Sequence, residues 1–273
     1  MYSYKNRVSY SRIDKDGVLS ISNTVDAMQD GCMFHNSAAG HSALTLLKKN
    51  RAWMVSSWHV VFIRRPSLDE EFSVDSWIYQ MRGTFASWNY LMKDTAGTTL
   101  AYADAKWFYA DPSTGKPARI DENERNAYTL GEPLDMDYAS RKIPCPKEPE
   151  YKYKLEVSPN YLDTNHHINN GQYIRLAVNA LPMELQITEL RAEYRMAAKM
   201  GDTLYVYTKK DDTQYYVIFT DADKQPYFIS EFTYHISRIS IKLRRAAAFI
   251  QYRMYITENT LSLVAHAAVL SST

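Results

Sequence analysis

The chain has 273 residues, 45% of them apolar and 23% charged, with a formal net charge of +1. This is globular composition, long enough for two domains, with no basic excess that would select nucleic acid as a partner. Two cysteines, Cys32 and Cys145, are too few for a disulfide scaffold or a thiolate metal cluster.

In chain order, the opening YSYKNRVSYSRI alternates as a strand and is followed by a helix-like segment from about Ser22 to Lys49. In that helix Val25, Met28, Cys32, Leu44, Leu46 and Leu47 are the candidate buried positions. Two long strand pairs follow, at 58–80 and 84–109. Residues 121–150 are rich in charge and proline (Pro133, Pro144, Pro146, Pro149), which predicts a linker lying over the surface. Beyond it the pattern repeats: strand YKYKLEV at 151–157, then a helix from Asn169 to Leu181, then strands at 187–209 and 213–235. Tyr173, Ile174, Ala177, Val178 and Leu181 form one apolar stripe of that helix. The turns correspond in kind, PSLDEE with KMGD and KDTAG with DADKQ, and read as hairpins joining antiparallel strands.

The expectation is a duplicated α+β architecture, in each half of which a curved antiparallel sheet wraps a long helix. The divisions fall at 1–120, 121–150 and 151–236, with a basic C-terminal segment at 237–273. Two sheets side by side would enclose a cleft suited to a small apolar ligand. No apolar run is long enough to span a bilayer, and the opening has no signal-peptide core, so a cytoplasmic protein without stable membrane insertion is expected. The 9 glycines form no phosphate-cradling motif, and no cofactor is expected.

One stretch is chemically dense: Tyr161-Leu162-Asp163-Thr164-Asn165-His166-His167-Ile168-Asn169-Asn170. Asn169 followed by Gln172 has the form of a capping box, placing the helix start there. On an extended backbone Asp163, Asn165 and His167 would all point to one side. An imidazole there could take a proton from water, and the amide with the helix N–H groups could stabilise an oxyanion. The competing reading is a polar turn whose side chains cap the helix. Adjacent His166 and His167 point apart on extended chain and have no further ligand at suitable spacing, so no metal is expected.

The run LDTNHHINNGQYI closely resembles the motif L-D-x-N-x-H-x-N-N-x-x-Y-I of the acyl-ACP thioesterases, and similarity extends over about 1–236, through YSRIDKDGVLSISNTVDAMQDGCMFHN, WHVVFIRRP and EYRMAAKMGDTL. The resemblance implies a double hotdog fold and hydrolysis of the thioester between a fatty acyl group and acyl carrier protein, terminating fatty acid synthesis. It puts Asp163, Asn165 and His167 on the family's catalytic positions. Asn165 would polarise the carbonyl, His167 would act as base, and Asp163 would orient the attacking group or attack directly. The plant enzymes carry Glu-Cys in a context like E-Y-R-x-E-C, where this chain has Ala197 and Ala198, with Glu193 nearby.

The alternatives are an acyl-CoA thioesterase, a non-catalytic acyl-binding hotdog protein, and a hydratase. The hydratase motif sets Asp and His five residues apart with an intervening proline, unlike Asp163 and His167. Cys32 and His35 lie three apart, as packing residues or a nucleophile pair. Trp53, Trp58, Trp77, Trp88 and Trp107 could form sheet core or line an acyl tunnel. Arg64, Arg65, Lys48, Lys49 and Arg51 form a solvated basic face or meet the acidic carrier protein. The segment KLRRAAAFIQYRMYI is a basic amphipathic helix or a tail. Two hotdogs in one chain already supply the pairing that single ones obtain by dimerising, so monomer and homodimer both remain open.

Overall fold

The structure is a computed structural model and describes residues 1–236; the basic segment 237–273 lies outside the described residues. The first half runs β1 (Tyr2–Arg7), α1 (Ile21–Ala38), α2 (Ala43–Lys48), β2 (Ala52–Phe62), β3 (Glu71–Arg82), β4 (Phe85–Asp94), β5 (Thr99–Asp111) and the two-residue β6 (Lys116–Pro117). Helix α3 (Glu122–Asn126) opens the linker. The second half runs β7 (Glu150–Glu156), α4 (Asn170–Asn179), β8 (Leu185–Tyr194), β9 (Thr203–Lys210), β10 (Gln214–Thr220) and β11 (Pro226–Ile236). Met1–Leu181 and Ile187–Tyr234 make one compact unit, and Pro182–Gln186 fall outside it.

The helices start where the sequence caps them. The Ser20 side chain accepts from the Asn23 N–H, and the Asn169 side chain from the Gly171 N–H, satisfying donors that have no intrahelical acceptor. The first helix is shorter than expected. It ends at Ala38, and a turn through Gly40 (φ 77°) separates it from α2, because the left-handed conformation there cannot continue a helix. Val25, Met28, Cys32 and Leu46 are buried as expected, but Leu44 is 66% exposed. On α4, Tyr173, Ile174 and Ala177 are buried and Val178 is half-buried.

The strands form one continuous sheet in the order β1-β3-β4-β5-β2-β8-β11-β10-β9-β7. Two of the four expected hairpins are present, β4–β5 around Asp94–Thr98 and β10–β11 around Asp221–Gln225. PSLDEE and the KMGD segment are crossovers instead: β3 pairs with β1 and β4, and β9 with β7 and β10. The central β2 pairs antiparallel with β8, Ser57 opposite Glu193 through Val61 opposite Glu189, so the expected pair of sheets is a single one.

The linker is fastened rather than merely draped. The Trp77 indole donates to the Glu132 carbonyl at 2.8 Å, the Asn89 side chain accepts from the Leu134 N–H at 2.9 Å, and the Arg141 guanidinium reaches Ser56 Oγ at 3.0 Å. Ile143 is buried against Ile218 and Ile229.

Candidate active site

The segment before α4 is a tight turn and not the extended run expected from its alternation. Leu162 and Ile168 bridge across its base. The Asp163 N–H donates to the His167 carbonyl at 2.8 Å and the His166 N–H to the Asp163 carbonyl at 3.1 Å, while His166 is left-handed at φ 59°. Within the turn Asp163 Oδ1 accepts from the Asn165 N–H at 2.8 Å and the His167 N–H at 3.4 Å. Asn165 Nδ2 lies 3.5 Å from Asp163 Oδ2. The turn therefore supplies what the extended chain was expected to: Asp163, Asn165 and His167 all face one cavity, whereas His166 is exposed.

That cavity has a volume of about 540 Å³. Its wall joins the turn and the first residues of α4 to Met33, Leu46, Trp53, Trp107 and Phe108 of the first half. Of the five tryptophans, Trp53 and Trp107 line it; Trp58, Trp77 and Trp88 are buried outside its lining. Asn170 Nδ2 donates to Gln29 Oε1 at 3.2 Å, the Tyr194 hydroxyl to the Asn170 carbonyl at 3.0 Å, and the Ala198 N–H to the Tyr173 hydroxyl at 3.0 Å. These contacts hold the start of α4 against its surroundings. α1 and α4 meet so closely that a Cβ on Gly171 would lie 1.8 Å from Asp26 Oδ1. Burial raises the Asp26 pKa to about 6, with the nearby Arg175 opposing that shift.

The imidazole of His167 makes no hydrogen bond among the described residues and is bridged through its backbone to Lys199. Its pKa is lowered, chiefly by burial; Asp163 opposes the shift, and the charges of Lys199 and His166 add to it. The neutral base form therefore persists to lower pH than for a free imidazole.

Several other expected residues lie elsewhere. The Glu193 carboxylate accepts from the Ile143 N–H at 2.8 Å and from Arg195 at 3.0 Å, so it serves the linker and not the site. Cys32 is buried, and burial pushes its thiol pKa to about 12, unfit for a nucleophile. His35 is lowered to about 4 by burial, and Cys145 is exposed and does not line the cavity. Arg64 is paired with Glu70 at 2.7 Å, and Arg65 bonds Asp14 and, at 2.9 Å, the Leu19 carbonyl, so neither is a free docking cation. No group of three or more His, Cys, Asp or Glu able to hold a metal occurs among the described residues. Gln29, Asn36 and Lys199 also line the cavity. The sequence signal for Gln29 and Asn36 was their seven-residue separation on one face of α1.

A continuous antiparallel sheet carrying two helices, with a polar turn at the start of the second, defines the double hotdog class. Residues 1–128 match the family described as acyl-ACP thioesterase N-terminal domain. The chain is similar to the oleoyl-acyl carrier protein thioesterase 2 of Arabidopsis thaliana, 23% identical over 74% of this chain and 61% of that one. It is also similar to the palmitoyl-acyl carrier protein thioesterase of the same plant, 26% identical over 67% of this chain and 48% of that one. It thus spans about half to three-fifths of the length of these relatives. Among solved structures, an acyl-ACP thioesterase from Bacteroides thetaiotaomicron superimposes with a TM-score of 0.77 at 21% identity, covering 85% of this chain and 97% of that one. The 12:0-ACP thioesterase from Umbellularia californica superimposes with a TM-score of 0.76 at 18% identity, covering 86% and 97%. The resemblance to acyl-ACP thioesterases read from the motif is borne out, and the structural likeness shows the shared fold.

Proposed function

We propose that the chain hydrolyses fatty acyl thioesters of acyl carrier protein, releasing free fatty acid in the cytoplasm. The observation that carries this reading is one cavity walled by apolar first-half side chains and edged by Asp163, Asn165 and His167 of the second half. An acyl chain fits the first wall and a thioester carbonyl the second edge. The family match of the first half and the plant relatives support acyl-ACP as the carrier form. The reading assigns 1–120 and 151–236 to the two hotdog units and 121–150 to the strap between them.

In this mechanism Asn165 donates its amide N–H to the thioester carbonyl, and the positive end of α4 favours the charge that develops there. Neutral His167 removes a proton from water, whose oxygen attacks the carbonyl carbon. The C–S bond then breaks, and the proton passes from His167 to the departing thiolate. Asp163, its Oδ1 already taken by two backbone N–H groups, orients the turn and steadies the protonated imidazole.

The test is fatty acid release from acyl-ACP and acyl-CoA panels by wild type and His167→Ala. Acyl-ACP turnover that falls about 10²-fold or more in the variant supports the reading. A folded wild type inactive on every thioester would leave an acyl-binding protein, in keeping with Ala197 at the family's glutamate position. Faster turnover on acyl-CoA would move the carrier assignment.

A further inference from the structure

The cavity wall is not uniformly apolar. α1 turns Gln29, Met33 and Asn36 toward it, positions i, i+4 and i+7 of one helix face. Gln29 sits at the turn end through its bond to Asn170. Asn36 is seven residues further, about 10 Å along the helix axis, and only 2% exposed. Its Oδ1 accepts the Tyr128 hydroxyl at 3.0 Å, but its Nδ2 has only Cys32 Sγ, at 3.9 Å. A neutral thiol sulfur is a weak acceptor, and a primary amide carries two N–H donors.

The polar cluster behind Asn36 is also one proton short. The single Tyr128 proton faces both Asn36 Oδ1 at 3.0 Å and Glu124 Oε1 at 3.2 Å. Glu124, itself buried, already accepts the Trp53 indole N–H at 2.6 Å and meets His41 Nδ1. When Tyr128 serves Glu124, the Asn36 carbonyl loses its donor as well. In either arrangement Asn36 presents unmet hydrogen-bonding capacity on a cavity that Met33, Leu46, Trp53 and Trp107 also line, and buried polar groups are ordinarily paired.

We propose that the cavity takes an acyl chain bearing a hydroxyl remote from its thioester end, with that hydroxyl paired to Asn36. The inference rests on the thioesterase reading for which end of the chain lies at His167. A hydroxyl both donates and accepts, so it matches the amide whichever way the Tyr128 proton points. A site built to bond a hydroxyl discriminates against the chain that lacks it.

The probes are dodecanoic acid and its isomers with a hydroxyl beside the carboxyl, at mid-chain or at the far end, titrated calorimetrically into the full chain. The expected result is about tenfold tighter binding of a mid-chain or terminal isomer than of the plain acid, as one added hydrogen bond gives. Asn36→Leu should reverse that order. The proposal is overturned if the plain acid binds wild type as tightly as every remote isomer, if the isomer hydroxylated beside the carboxyl binds tightest, or if Asn36→Leu leaves the ratio unchanged. Should that variant fail to fold, the wild-type ratios decide alone. Hydrolysis of matched acyl-ACP thioesters separates the two readings: remote-hydroxyl preference without turnover sinks only the hydrolase, and turnover without preference sinks only the hydroxyl.

Discussion

The molecule contains the same turn twice, and the two copies carry different side chains. In the first, Ile13 and Leu19 bridge as Leu162 and Ile168 do in the second. The Asp14 N–H donates to the Val18 carbonyl at 2.9 Å as the Asp163 N–H does to that of His167 at 2.8 Å. The Asp16 N–H meets Asp14 Oδ1 at 2.9 Å as the Asn165 N–H meets Asp163 Oδ1 at 2.8 Å. Beyond each turn a neighbouring segment closes the ladder, the Leu19 N–H on the Pro66 carbonyl and the Ile168 N–H on the Ala198 carbonyl. This register makes Ala197 the second-half counterpart of Arg65. In the first copy Arg65 binds the Asp14 carboxylate and Val18 stands where the second has His167. In the second copy no side chain closes on Asp163 from position 197. The two turns thus share a backbone and differ in the side chains set on and beside it: Asp16, Val18 and Arg65 in the first copy, Asn165, His167 and Ala197 in the second.

Five experiments press on that contrast, taken with the largest effect first. Beyond the His167→Ala loss already given, Val18→Ala at the matching position should leave turnover within about threefold, because no reacting group is removed. A loss there comparable with that of His167 would show that both turns serve the reaction. Ala197→Arg copies the first-half ion pair onto Asp163 and should lower kcat by about tenfold, whereas Ala197→Glu should preserve or raise it. Equal rates for both would mean that position 197 does not reach Asp163.

Arg65→Ala strands the half-buried Asp14 and should cost about 2 kcal/mol of stability, read by denaturant unfolding, with turnover nearly unchanged. His166→Gly relieves the left-handed strain that Gly17 avoids at φ 73° and should gain about 0.5–1 kcal/mol. A destabilised glycine variant would mean that the His166 side chain contributes more than its backbone costs.

Lys199→Met addresses the pH profile. In the proposed mechanism His167 is a neutral base, and its pKa lies below the usual value, so activity should be full above that lowered pKa and fall as pH drops through it. Removing the Lys199 charge takes away one cause of the depression. The acid limb should then move to higher pH, and an unmoved limb would assign it to another group.

Much of this was legible in the residues. The cap at Asn169 marks the start of the second-half helix, the alternating aromatics mark strands, and the duplication puts one long helix in each half. The turn was misread as extended because His166 gives no local sign of a left-handed backbone, although Gly17 at the matching position does. The β2–β8 seam and the crossovers escaped because strand order is a long-range property that alternation along one strand does not encode. Glu193, four residues before Ala197 on the chain, does not stand in for the family's glutamate, because its carboxylate is held by the Ile143 N–H and Arg195.

The seam between β2 and β8 makes one polypeptide of what a symmetric dimer of single units would make of two. In such a dimer every substitution is written twice, so a turn cannot gain an arginine clamp in one copy and keep an open carboxylate in the other. Covalent fusion removes that constraint. Here each copy has been free to diverge, and the asymmetry of Arg65 and Ala197 is the record of that independence.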